Sequence, residues 1–242
     1  MILYGKPVAD ALREQYAEWI EENARRTHGK RMLTVIKDET SDKGYLAAIK
    51  REAERWKVNL LYAEGLVQAA KMGASRVIDV RKRTERTMFG FYGVDGQGDY
   101  GRVSAYDGEM NEETSCTAEA IIRMLDYYNI PIAGKRAVVI GRSERVGKPT
   151  AMLLLARDAT VTVCHSKTDK GNLLELVAGA DIVVCASGQN GLLDWTCVPH
   201  GCTVINVGGD YIGEHDECIN LIPFKGGVGP VTAAVLMSHV LM

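Results

Sequence analysis

Residues 138–168 read VVIGRSERVGKPTAMLLLARDATVTVCHSKT, and the order of apolar runs and glycines in them decides the fold. An apolar run over 137–140 ends in Gly141-Arg142-Ser143. Gly147 and Pro149 follow, then a helix-forming run over 151–156. A second apolar run, 160–164, ends in His165-Ser166-Lys167-Thr168. Strand, glycine turn, helix, strand is half of a dinucleotide-type parallel sheet. Such a turn gathers backbone N–H groups and a helix N-terminus at one point, where a pyrophosphate can sit.

The same alternation continues outward. Upstream, Ala9, Leu12, Tyr16 and Ile20 stand at helical spacing and predict a helix over 8–23. A strand is expected over 32–36, a charged amphipathic helix over 44–56, a strand over 58–62, a short helix over 66–71, a strand over 76–80 and a helix over 117–128. Downstream, a helix is expected over 173–178, strands over 182–186 and 203–207, and a last helix over 230–241 after Gly226-Gly227-Val228-Gly229. Apolar, β-branched strands alternating with helices indicate an α/β fold whose parallel sheet is covered on both faces. Residues 81–115 break the pattern. They are basic first (Arg81, Lys82, Arg83, Arg86) and then glycine-rich (Gly90, Gly93, Gly96, Gly98, Gly101). That length is unusual for an idle connection. The basic cluster reads either as a solvated face or as an anion contact.

Composition narrows the function classes. A chain of 242 residues can bury one large core or two small ones. A net charge of −2 argues against a general nucleic-acid binder. None of the six cysteines forms a C-x-x-C pair and several lie in apolar runs, so they read as buried thiols in a reducing cytosol. No metal site is expected. No apolar run approaches the ~18 residues of a membrane span, and MILYGKPVADALREQ carries no signal-type apolar segment. The expectation is a cytoplasmic protein with no membrane or nucleic-acid partner.

The glycine turn departs from G-x-G-x-x-G: Gly141-x-Ser143-x-x-x-Gly147 is one residue longer, with Ser at the second glycine position. Spacing alone does not separate it from a glycine turn that binds nothing. The second strand adds information. An NAD site places Asp or Glu about 20 residues on, at the ribose hydroxyls. Here the strand end is Cys164-His165-Ser166-Lys167, without a carboxylate. A hydroxyl and cations there, with Arg142 in the turn, suit a 2′-phosphate and so NADP rather than NAD. His165 reads equally well as a packed loop histidine.

Gly141-Arg142-Ser143-x-x-Val146-Gly147-Lys148-Pro149, with Ala159-Thr160-Val161-Thr162 and Cys164-His165-Ser166-Lys167-Thr168, resembles the methylenetetrahydrofolate dehydrogenase/cyclohydrolase family. Lys225-Gly226-Gly227-Val228-Gly229-Pro230-Val231-Thr232 is similar to that family's Pro-Gly-Gly-Val-Gly-Pro-Met-Thr. Ser115-Cys116-Thr117, Tyr127-Tyr128-Asn129-Ile130 and Gly5-Lys6-x-Val8-Ala9 also look like it. The likeness runs almost end to end and is strong from residue 115 onward. It implies two α/β domains with a cleft between them: a folate domain over 1–118 plus 225–242, and a Rossmann-like NAD(P) domain over 119–224. It also implies a homodimer through the cofactor domain. The turn residues from Gly141 to Pro149 quoted above would bind the dinucleotide, with His165, Ser166 and Lys167 at the second strand and Gly229 and Thr232 near the C-terminus.

The departures lie on the folate side. The family carries a Tyr with a Lys four residues later on one helix, so that both face the cleft. Here Tyr45 is followed at that spacing by Ile49, and Lys50 is one residue further. Either the helix is shifted or rewound, or the lysine is lost. The family's Gln-Leu-Pro-Leu-Pro segment is absent, with residues 76–84 in its approximate place. Asp-Val-Asp-Gly survives as Gly93-Val94-Asp95-Gly96, which implies Asp95 as the pterin-binding carboxylate; an Asp-Gly turn is the plain alternative. The late Gly-Asp-Val segment is missing, and Gly209-Asp210-Tyr211 lies near it without clearly replacing it. Tyr45, Lys50 and Asp95 are therefore the catalytic candidates. Dehydrogenation moves a hydride from the one-carbon methylene to nicotinamide, and its demand is positioning. Cyclohydrolysis adds water and needs the proton transfers that the Lys–Gln pair supports. The expectation is an NADP-dependent dehydrogenase with weak or lost cyclohydrolase activity. The alternatives are the bifunctional enzyme, a paralogue with another substrate, and a non-catalytic dinucleotide-binding protein.

Overall fold

The computed structural model describes residues 1–73, 75–80, 114–212 and 218–242. They divide into two compact units. Among the described residues, one unit holds 1–9 and 115–232, and the other holds 10–73, 75–80, 114 and 233–242. The expectations for residues 81–113, including Asp95 and the basic and glycine-rich stretches, lie outside the described residues.

The smaller unit is built on a three-stranded parallel sheet. Helices α1 (Gly5–Gln15), of which residues 10–15 lie in this unit, and α2 (Ala17–Arg25) precede β1 (Met32–Ile36); α3 (Lys43–Arg55), β2 (Asn59–Ala63), α4 (Leu66–Lys71) and β3 (Arg76–Asp79) follow. The order is β2-β1-β3, with Leu33 paired to Leu60 on one side and Arg76 on the other. The central strand is buried on both faces, which is why β1 reads as a nearly unbroken apolar run. The helix expected over 8–23 is divided at Tyr16. There the ring of Tyr16 packs against Trp19 and the buried Trp56, with centroids 5.8 and 5.6 Å apart. The carboxylate of buried Glu52 accepts from Arg13 (3.0 Å), Arg55 (2.8 Å) and the Trp56 indole N–H (3.2 Å), which offsets the cost of its burial.

The larger unit is a five-stranded parallel sheet. In chain order it contains α5 (Cys116–Tyr127), β4 (Arg136–Ile140), α6 (Gly147–Ala156), β5 (Thr160–Cys164), α7 (Lys170–Ala178), β6 (Ile182–Cys185), a short 3-10 turn (Trp195–Cys197), β7 (Thr203–Asn206) and β8 (Asn220–Ile222). Helix α8 (Val228–Leu241) closes the chain, its first turn in this unit and its remainder in the other. The strand order β5-β4-β6-β7-β8 means that the chain leaves β4 to one side and returns to its other side. The switch point therefore lies between the C-terminal ends of β4 and β6, the place where open parallel sheets bind ligands.

Strand β8 has no signature in the sequence because three residues cannot show a period. Its neighbours define it. It pairs with β7 on one side. On the other, Leu3 N–H donates to Leu221 O and Leu221 N–H to Met1 O, both at 2.8 Å. This pairing buries Leu3 and draws residues 1–9 onto the five-stranded unit. Among the described residues, no helix is long and apolar enough to cross a membrane.

Candidate functional site

All five strands of the larger sheet are parallel, so the loops after β4, β5, β6, β7 and β8 share one edge. The loop after β4 starts at Gly141, with φ +130°. A Cβ there would lie 2.4 Å from Ala186 O, at the end of β6. At Gly147 it would lie 2.2 Å from Gly141 O. Both glycines are required by close backbone approach at the switch point, which is the packing half of a dinucleotide fingerprint.

Ser143, which stands where the common fingerprint has glycine, closes the longer turn. Its hydroxyl accepts from the N–H groups of Val146 (3.2 Å) and Gly147 (3.3 Å), and its carbonyl from Lys148 N–H (3.0 Å). Pro149 has no N–H, and Thr150 N–H donates to Val146 O at 2.9 Å. The first-turn donors of α6 are thus already engaged. An anion at this point meets the dipole of α6 and the backbone of the turn itself, rather than the N–H groups of the helix. Lys148 pairs with Glu144, one turn away on the exposed face.

The β5 loop lies beside this turn, because Ile140 pairs with Cys164 and Gly141 N–H donates to Cys164 O at 2.8 Å. Arg142, Ser166 and Lys167 are exposed at these adjacent strand ends. His165 is spent on the loop: its Nδ1 accepts from Lys167 N–H at 3.2 Å, and its backbone bonds Thr168 in both directions. That placement favours the packed-loop role over ligand contact. The nearest following carboxylate, Asp169, is engaged as the N-cap of α7, accepting from Gly171 and Asn172. The strand end therefore presents cations and hydroxyls, the donor set a phosphate needs. Beneath it, burial pushes the Cys164 and Cys185 thiols up from their ordinary range, which makes both poor nucleophiles.

The second half of the edge is shaped by the β6 and β7 loops. Ala186 N–H continues the ladder to Ile140 O at 2.8 Å, and Ser187-Gly188-Gln189 follow. Asp210, after Gly208-Gly209 at the end of β7, is fully buried and accepts from this loop. Gly229 is exposed at the start of α8. Thr232 is buried, and its hydroxyl donates back to Val228 O at 3.1 Å, so that group serves its own helix.

In the smaller unit α3 is a regular helix, N-capped by Asp42, whose side chain accepts from Tyr45 N–H at 2.7 Å. Tyr45 is half-buried. Ile49 stands one turn on and is 1% exposed, in the core. Lys50 is exposed, about 140° around the helix from Tyr45. The helix is not rewound, and the structure does not bring Lys50 to the face of Tyr45.

Residues 115–242 match the model of the tetrahydrofolate dehydrogenase/cyclohydrolase NAD(P)-binding domain, just over half of the chain. The chain belongs to the tetrahydrofolate dehydrogenase/cyclohydrolase family. Among its relatives, the bifunctional protein FolD of Shouchella clausii is 44% identical over 135 residues, covering 52% of this chain and 47% of that protein. FolD of Carboxydothermus hydrogenoformans is 47% identical over 138 residues, covering 51% and 47%. The chain thus matches about half the length of these curated relatives. By structure the likeness is longer. The methylenetetrahydrofolate dehydrogenase-cyclohydrolase of Trypanosoma brucei, solved with NADP and an inhibitor, superposes with a TM-score of 0.78 at 23% identity, covering 100% of this chain and 96% of that one. The bifunctional enzyme of Thermoplasma acidophilum gives 0.76 at 25%, covering 100% and 97%.

Gly141, Ser143 and Gly147 form one turn, and the exposed Arg142, Ser166 and Lys167 follow the ends of the neighbouring strands β4 and β5. The sequence reading missed the Ser187–Asp210 contact. Its only advance signal was an Asp directly after Gly-Gly at a strand end.

Proposed function

We propose that this chain oxidises 5,10-methylenetetrahydrofolate to 5,10-methenyltetrahydrofolate with NADP, and that its cyclohydrolase activity is weak or lost. NADP supplies the hydride acceptor. Arg142, Ser166 and Lys167 hold the 2′-phosphate, while the tight turn that Gly141 and Gly147 permit offers its backbone and the N-terminus of α6 to the pyrophosphate. On this reading residues 1–118 plus 225–242 serve the folate, with Tyr45 and Asp95 binding it, and 119–224 serve the dinucleotide. A cytoplasmic location belongs to the same proposal, supported by six cysteines that form no disulfide.

One observation carries the reading: the glycine turn is closely packed at the switch point, whereas the position four residues after Tyr45 is filled by core Ile49. Hydride transfer asks the protein for position, and a missing lysine leaves it possible. Hydrolysis asks for a proton carrier beside Tyr45; one turn on, α3 places Ile49 there, and Glu52, a further turn along that face, is engaged by Arg13, Arg55 and Trp56. The second reading, a bifunctional enzyme, is favoured by the names of the relatives. Purified protein is to be assayed for NADP reduction with methylenetetrahydrofolate and, separately, for hydrolysis of methenyltetrahydrofolate. The expected result is turnover in the first assay and near-background rates in the second. Fast hydrolysis establishes the bifunctional reading instead. NADP binding without folate binding points to the non-catalytic paralogue.

We also propose a homodimer through β5. One edge of the five-stranded sheet, β8, is covered by residues 1–3. The other edge is β5, with Val163 exposed on it and Leu155 exposed on α6. Among the described residues no strand pairs with the outer side of β5, and an edge strand bearing apolar side chains is a template for pairing.

A further inference from the structure

The loop after β6 is held by one side chain. Asp210 is fully buried. Its Oδ2 accepts from Ser187 N–H at 2.8 Å. Its Oδ1 accepts from the Ser187 hydroxyl and from Gln189 N–H, both at 2.6 Å. Among the described residues none of these partners is a cation, and it is hydrogen bonds that compensate the burial of the carboxylate. Gly208 belongs to the same arrangement: a Cβ there would lie 2.7 Å from Asp210 Oδ2 and 2.8 Å from Gly188 N. An apolar side chain would fill this space with less desolvation, so stability alone does not explain a carboxylate here. What the carboxylate provides is a fixed loop. Three short bonds specify where Ser187 and Gln189 stand, and Gly188, with φ +74°, turns the chain between them.

The place of the loop gives that shape a use. Ala186, the residue before it, is the one whose carbonyl limits Gly141 to glycine. The loop therefore begins directly across the switch point from the phosphate turn. In a doubly wound sheet the first half takes one nucleotide of the cofactor and the second half takes the other. With the 2′-phosphate ribose assigned to the end of β5, the nicotinamide nucleotide falls to the ends of β6 and β7.

We propose that Asp210 is a positioning residue, holding residues 187–189 in the shape that receives the nicotinamide half of NADP; this rests on the NADP reading above. The test uses the full chain and two ligands, NADP and adenosine 2′,5′-bisphosphate. The second keeps the adenosine and 2′-phosphate and lacks the nicotinamide nucleotide. Dissociation constants are measured by titration calorimetry for the wild type, Asp210→Asn and Ser187→Ala, with thermal unfolding in parallel. Asp210→Asn is expected to weaken NADP about tenfold, the worth of one lost charge-assisted hydrogen bond, and to leave the fragment within about twofold. Ser187→Ala, which keeps the two N–H bonds, is expected to show a smaller loss of the same kind. Unchanged NADP affinity in both variants overturns the inference, as does an equal loss for both ligands, which a general loosening of the sheet would produce. If Asp210→Asn fails to fold, Ser187→Ala decides by the same criterion. A wild type that binds neither ligand overturns the NADP reading itself, whereas a wild type that binds both, with variants that match it, overturns only the role of Asp210.

Discussion

At the residue scale the site is a contest between cations and carboxylates at two neighbouring strand ends. Arg142 and Ser166 are exposed on loops that β4 and β5 hold side by side, and the carboxylate that follows, Asp169, is committed to capping α7. Replacing Ser166 with Asp restores the acidic group that a ribose diol prefers and that a 2′-phosphate repels. Ser166→Asp is expected to weaken NADP at least about tenfold and to strengthen NAD, and Arg142→Ala to weaken NADP alone, by about the value of a charged hydrogen bond. Titration with both cofactors checks this. Equal affinity for NADP and NAD in the wild type removes the argument. Gly147 allows a second test at this scale. A methyl group there must displace Gly141 O, 2.2 Å away, so Gly147→Ala is expected to cost about 1–3 kcal/mol of stability in denaturant unfolding as well as cofactor affinity.

At the scale of elements, α3 decides between two chemistries. Tyr45 and Ile49 share a face, and Ile49 is in the core. Ile49→Lys restores the family's spacing but buries a charge, and is expected to destabilise the fold by about 3 kcal/mol or more while leaving hydrolysis low. A variant that hydrolyses methenyltetrahydrofolate quickly with an unchanged melting temperature contradicts this. The sequence could show that the lysine was out of step. It could not show which residue faced inward, because Ile49 and Lys50 both suit an amphipathic helix. The long elements were legible: the apolar runs of β1, β4, β5 and β6 and the helix α5 are found within a residue or so of where their periodicity put them. What was not legible depends on distant partners. Strand β8 exists because residues 1–3 and β7 flank it. The break at Tyr16 is tied to Trp56, and the bracing of Ser187 to Asp210, each pair far apart in the chain. Three buried thiols in and beside the strands add a prediction set by pH. Burial raises Cys164 and Cys185 and pushes Cys202 up to about 12. All three stay protonated at pH 8, and the thiolate is the reactive form. Exposed Cys218 is expected to alkylate at that pH in the native protein, and buried Cys164, Cys185 and Cys202 only after unfolding, as peptide mass mapping will show.

At the scale of the whole molecule the two edges of the large sheet are treated differently, and that asymmetry predicts its assembly. The β8 edge is closed from within: Met1 and Leu3 bond to Leu221, and Gly5 N–H donates to Gly226 O at 2.8 Å. A Cβ at Gly5 would lie 1.9 Å from Gly227 O, so the N-terminal segment is fitted to its place. The β5 edge, Thr160–Cys164, has no Lys or Pro within the strand to discourage pairing, and Val163 is 40% exposed. A second copy related by a two-fold axis would lay β5 antiparallel to its own equivalent and bury Val163 in both. Sedimentation equilibrium is therefore expected to give twice the 26.5 kDa of one chain. Val163→Lys puts a charge on the edge strand of each copy, where the two brought close by pairing repel. It is expected to yield a monomer whose NADP affinity is nearly unchanged, because Arg142, Ser166 and the Gly141 turn all belong to one chain. A wild type that sediments as a monomer defeats the edge argument, and a Val163→Lys dimer shows that another face joins the copies.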